Sequence, residues 1–112
     1  MPDPTVDIHP DVLAVDLQEI ANYIAMDNEA AADRVLAEIE ATYATLALDP
    51  MMGTERHPMR RSLKGIRMFV VTEYPNYLIY YRPLRDNTGV RILYVMHAAR
   101  DAATLAKKHR RQ

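Results

Sequence analysis

The stretch VRILYVMHAARD (Val90 to Asp101) decides the fold: an apolar, strand-like run that ends abruptly in a histidine, two alanines and an Arg-Asp pair. Just upstream, NYLIYYRP (Asn76 to Pro83) is a second such run, and RDNTG (Arg85 to Gly89) joins the two with turn-forming residues. So short a connection makes them antiparallel neighbours. Working outward, RSLKGIRMFVV (Arg61 to Val71) carries a third strand. Ile66, Met68 and Val70 fall on one face, with Arg67, Phe69 and Val71 on the other. EYPN (Glu73 to Asn76) supplies the turn that returns it to Tyr77.

Ahead of these strands the apolar period is helical. Val6 and Ile8 alternate with Thr5 and Asp7 as a short half-buried strand would. His9-Pro10-Asp11 opens a helix, since proline suits a first turn where its missing N–H costs nothing. Leu13, Leu17, Ile20 and Ile24 form its apolar stripe. Asp27-Asn28 breaks it, and Asn28 caps a second helix whose stripe is Ala32, Val35, Leu36, Ile39, Tyr43 and Leu46. Asp49-Pro50 ends that helix. A short helix is expected from Asp101, with Lys107, Lys108, Arg110 and Arg111 near its negative end. The expected architecture is a single α+β domain over residues 1–112, ordered β-α-α-β-β-β, with a helical hairpin packed on a small antiparallel sheet and a short C-terminal helix.

A helical hairpin covers one face of such a sheet, and the other is ordinarily polar. Here both are apolar: Tyr77, Ile79 and Tyr81 oppose Leu78 and Tyr80, and Leu93 and Val95 oppose Ile92, Tyr94 and Met96. Either the C-terminal helix and the loop Met51 to Met59 cover the second face, or a partner chain does. Contiguous exposed apolar patches usually mark interaction sites.

Composition narrows the classes. Without cysteine there is neither a disulfide framework nor a thiolate metal site. No apolar run approaches the ~20 residues needed to cross a bilayer. The acidic, proline-punctuated start MPDPTVD is unlike a signal peptide, which makes the cytoplasm the expected location. A net charge of −1 conceals strong polarity along the chain: residues 1–55 hold 12 acids against Arg34 alone, and residues 56–112 hold 13 Lys or Arg against three acids. A basic half of this kind is either a solvated face or a surface that attracts an acidic partner.

The strand pair with its His-Ala-Ala-Arg-Asp exit resembles the end of toxins in the RelE/ParE superfamily. DLQEIANYI (Asp16 to Ile24), DNEAAADRVL (Asp27 to Leu36), DPMMG (Asp49 to Gly53) and RSLKGIRMFVV fall in the order expected of the ParE branch, so the likeness spans roughly Asp16 to Asp101. One departure is Ala98, where the family often has glycine, a residue freer to take positive φ. The resemblance implies a toxin of a type II toxin–antitoxin pair that binds and poisons DNA gyrase. It also implies a ribbon-helix-helix, ParD-like antitoxin whose disordered tail folds onto the toxin, with any DNA contact made indirectly through that antitoxin. Arg60, Arg61, Arg67, Arg82 and Arg91, joined by Phe69, Tyr77 and Tyr81, are the expected antitoxin contacts, since Arg pairs bidentately with carboxylates. His97, Arg100 and Asp101 are the expected target contacts.

The RelE branch instead cleaves mRNA on the ribosome, and its members carry a basic residue at the start of the strand that here reads Asn76-Tyr77-Leu78. Cleavage needs a base for the 2′-OH and cations around the phosphate. His97, Arg100 and Tyr77 or Tyr81 would make an incomplete set, or His97 is a strand-end residue bonded to Asp101. No catalytic residue is therefore assigned, and the nuclease stands as the alternative, beside an inactive family member that only binds its antitoxin. No cofactor or metal is expected: Gly53, Gly65 and Gly89 form no phosphate loop, and His9, His57, His97 and His109 have no ligand spacing.

Overall fold

The computed structural model of the chain describes residues 3–55 and 65–100, with Arg100 described by its backbone alone. The expected C-terminal helix, Arg60, Arg61 and Asp101 lie outside these residues. Strand β1 (Thr5–Ile8) leads into α1 (Leu17–Ala25) and α2 (Glu29–Leu48), followed by β2 (Thr54–Glu55), β3 (Arg67–Val70), β4 (Tyr77–Pro83) and β5 (Gly89–His97). The fold is α+β, as the sequence indicates. The strands form one sheet in the order β1-β5-β4-β3-β2. Strands β2 to β5 pair antiparallel, whereas β1 lies parallel to β5, which makes the sheet mixed. That parallel contact brings backbone against backbone: a Cβ at Gly89 would stand 2.0 Å from the Thr5 carbonyl oxygen, so only glycine fits there.

Two helical expectations resolve differently. The Asn28 side chain accepts the Ala31 amide at 3.1 Å, the N-cap that its position suggests, and Val35, Ile39, Tyr43 and Leu46 of α2 are buried. The first helix, however, begins with a π-helical turn over Val12–Asp16. Its wider turn shifts the phase, so Val12 and Asp16 face inward while Leu13, expected in the stripe, is 59% exposed. Leu17 and Ile20 are buried as expected.

The sheet likewise carries one irregularity. Tyr80 pairs with Tyr94 but Tyr81 pairs with Ile92, which leaves Leu93 as the extra residue of a β-bulge. Strict alternation predicts Leu93 on the same face as Val95. Instead Val90, Ile92 and Val95 pack under the helices with Tyr77, Ile79 and Tyr81, and Leu93, Tyr94 and Met96 join Ile66, Leu78 and Tyr80 on the far face. All six far-face side chains are buried within the single chain. Both faces of the sheet are therefore apolar, as the alternation indicates, and most of the chain expected to cover the far face, residues 56–59 of the loop and the C-terminal helix, lies outside the described residues.

Candidate functional site

At one end of the sheet, α1 stands away from the start of β4 and the end of β5, and a cleft of about 450 Å³ opens between them. One wall is helical. Glu19, Asn22 and Tyr23, at i, i+3 and i+4, share a face of α1 and are exposed. The other wall is Tyr77 and His97, direct neighbours across the β4–β5 ladder, whose rings meet edge to face at 5.4 Å. Ile20, Val95 and Asp16 line it at depth, and Met96 and Ala99 complete the described lining.

The π turn and the bulge together build this floor. Asp16 is 1% exposed, and its Oδ2 accepts the Val95 amide at 2.9 Å, just past the bulged Leu93. A buried carboxylate needs such donors, because a charge taken out of water without them is costly. Tyr77 is kept a neutral phenol: burial pushes its pKa up, and the nearby Tyr23 adds to the shift. His97 accepts the Ala99 amide on Nδ1 at 3.0 Å. The chain then leaves β5 in a 3-10 turn, Ala98–Arg100, tied back by the Ala98 amide to the Asn76 carbonyl at 2.7 Å. His97 and the Arg100 backbone are thereby held within one turn of each other.

Among the described residues, those expected to meet an antitoxin are spread over both faces of the sheet and its core. Arg67 and Phe69 lie on the helix side of β3; Phe69 is partly buried against the core, and Arg67 donates to the Met51 and Gly53 carbonyls. Tyr81 is fully buried. Its hydroxyl donates to the Pro50 carbonyl and accepts the Gly53 amide, both at 2.8 Å, so it anchors the loop after α2 rather than offering surface. Arg82 and Arg91 are cross-strand partners. Arg91 also pairs with Asp7 on the neighbouring β1. Both arginines are half-buried and sit at the opposite end of the β4–β5 hairpin from Tyr77 and His97. The acidic floor of the cleft was missed in the sequence, where Asp16 sits in what reads as an ordinary amphipathic helix. Asp16 stands three residues after Leu13 and four before Ile20, so ordinary helical spacing already sets an acid at the apolar face, and that is the signal that marks it.

Among the described residues there is no group of three or more His, Cys, Asp or Glu able to hold a metal, and no helix long and apolar enough to cross a membrane.

Comparison with known proteins places this architecture. A protein of Sinorhizobium fredii (strain NBRC 101917 / NGR234) named "Putative toxin Y4kP" is 43% identical over 82 residues, which cover 73% of this chain and 76% of that protein. Residues 6–102, which include every described strand but the first residue of β1 and both helices, match the family described as the ParE toxin of the type II toxin–antitoxin system, parDE. The chain belongs to the ParE toxin family, and as a toxin of a type II pair it has an antitoxin for a partner.

Proposed function

We propose that this toxin acts by binding and poisoning DNA gyrase, without chemistry of its own, and that a ParD-like ribbon-helix-helix antitoxin neutralises it. The observation that carries this reading is the character of the strand-end cleft. The groups that a ribonuclease would recruit, His97 and Tyr77, stand beside the carboxylates of Asp16 and Glu19. Phosphodiester cleavage concentrates negative charge on the transferring phosphate and draws on nearby cations to stabilise it. Carboxylates at that place repel RNA, whereas a protein surface accommodates them readily. Tyr77 packs edge to face against His97, and Asn76 brings no charge to the start of β4.

The antitoxin side of the proposal rests on the arginines. Arg82 and Arg91 are adjacent on one end of the sheet, where Asp7 already pairs with Arg91, and an acidic tail would add to that pairing. Arg60, Arg61, Arg67 and Phe69 remain proposed contacts of the same partner; Tyr77 is left out because it lines the strand-end cleft, and Tyr81 because it has no exposed surface. His97, Arg100 and Asp101 are proposed for the target.

Induction in growing cells tests the reading. DNA-damage signalling and filamentation are expected before translation falls. Early arrest of translation, with mRNA cut at codon positions, would establish the ribosome-dependent nuclease instead.

A further inference from the structure

We propose that the cleft beside His97 is a receptor for an arginine side chain presented by the toxin's protein target. The inference rests on the reading of this chain as a toxin that acts by binding, and it names the chemistry of the contact.

The cleft has the size of a ligand site, which ordinarily runs from roughly 300 to 1,000 Å³. Its lining matches a long apolar stem with a cationic head. Ile20 and Val95 offer apolar depth for methylenes, Tyr77 and Tyr23 offer aromatic rings, and Glu19 offers an exposed carboxylate at the rim. Asp16 adds a negative charge that cannot swing away, because the Val95 amide fixes its carboxylate. A cation between aromatic rings and carboxylates gains from both, and the planar guanidinium can stack and bond at once where an ammonium cannot. Tyr23 is 67% exposed, far more than a ring that completes a core, and it stands on the helix wall where an entering chain would cover it.

The charge layout also says which partner enters. Arg82 and Arg91 lie five residues along β4 and six along β5 from Tyr77 and His97, roughly 17 Å away at strand rise. Even with Asp7 paired to Arg91, that end holds the arginines and the cleft holds Asp16 and Glu19, so an acidic antitoxin tail favours the arginine end. The partner that occupies the acidic end is therefore the other one, the target that meets His97.

The test uses two short probes, acetyl-Gly-Arg-Gly-amide and its citrulline counterpart, which keeps the shape of the side chain but not its charge. Titrated into the full-length protein, the arginine probe is expected to shift the Tyr77 and His97 ring resonances and to saturate. Citrulline should bind at least fivefold more weakly, and Glu19→Lys should weaken the arginine probe at least tenfold with an unchanged melting temperature. Equal binding of the two probes, no binding of either, or full binding by Glu19→Lys overturns the proposal. In a gyrase inhibition assay, Glu19→Lys should need at least tenfold more protein than the parent while it still binds antitoxin. Loss of antitoxin binding with inhibition intact would assign the cleft to the antitoxin and overturn the choice of partner. If the parent protein leaves gyrase untouched, the poison reading fails, and the probe titration still decides whether the cleft takes arginine.

Discussion

The carboxylate of Asp16 accepts the backbone amide of Val95 at 2.9 Å, and that bond fastens the π turn that opens the first helix to the last strand, two residues past its β-bulge. The bond is buried and joins residues 79 positions apart. The π turn and the bulge stand where regular geometry would have placed Leu13 inward and Leu93 beneath the helices. The bond holds a carboxylate at the floor of the strand-end cleft.

Asp16→Ala leaves the Val95 amide buried and unpaired, which should cost ~1–3 kcal/mol of stability. Asp16→Asn keeps an acceptor and should cost less. Urea midpoints rank the variants, and hydrogen exchange at Val95 reports the bond directly. Unchanged protection at Val95 in Asp16→Ala would show that the bond contributes nothing.

The Tyr81 hydroxyl makes two bonds to the loop after α2, to Pro50 and Gly53, in a site with no access to water. Tyr81→Phe strands one carbonyl and one amide, and a loss of ~1–3 kcal/mol is expected. The loss should appear as a lower melting temperature with antitoxin binding preserved, because the ring offers no surface to a partner.

Tyr43 behaves in the opposite sense. Its hydroxyl is buried and has no hydrogen-bond partner among the described residues. Burial raises its pKa well above the ordinary 10.0, and Glu40 and Asp16 add to the rise. A raised folded pKa means that the native state holds its proton more tightly than the unfolded chain does. The corresponding stability is complete below pH 10 and declines as pH climbs from there. Tyr43→Phe should leave stability at pH 7 unchanged or higher, since an unpaired hydroxyl is removed, and should flatten the decline above pH 10. Thermal melts from pH 7 to 11 check both.

Much of this fold was legible because its local signals agree. Asn28 announces the second helix and caps it; Asp86 and Asn87 adopt positive φ in the β4–β5 turn, as turn-forming residues can. The alternation in β3 and β4 sorts Phe69, Ile79 and Tyr81 from Met68, Leu78 and Tyr80 as read. What escaped was phase. A π turn and a bulge each insert one residue, and no residue type marks either, so regular spacing puts Leu13, Ile92 and Leu93 on the wrong faces. The parallel pairing of β1 with β5 is a long-range contact that periodicity does not encode. The arginines were read as one binding set because sequence gives charge without place, and the sheet separates Arg67 from Arg82 and Arg91.

Arg100 leaves the sheet one turn after His97 and carries a fixed fork of donors that lysine cannot copy. Arg100→Ala should lower toxicity at least tenfold, equivalent to ~1.4 kcal/mol, while the melting temperature and antitoxin binding hold. A parallel fall in all three would make Arg100 a structural residue, and no change in any would remove it from the account.

The most direct test of the central claim is purified protein added to gyrase in a supercoiling assay, with trapped cleaved DNA scored in the same reactions and ribosome-bound mRNA offered in parallel. Inhibited supercoiling or accumulated cleaved DNA, reversed by the antitoxin and with the mRNA intact, is the predicted result. Unaffected gyrase beside mRNA cut at codon positions would contradict it.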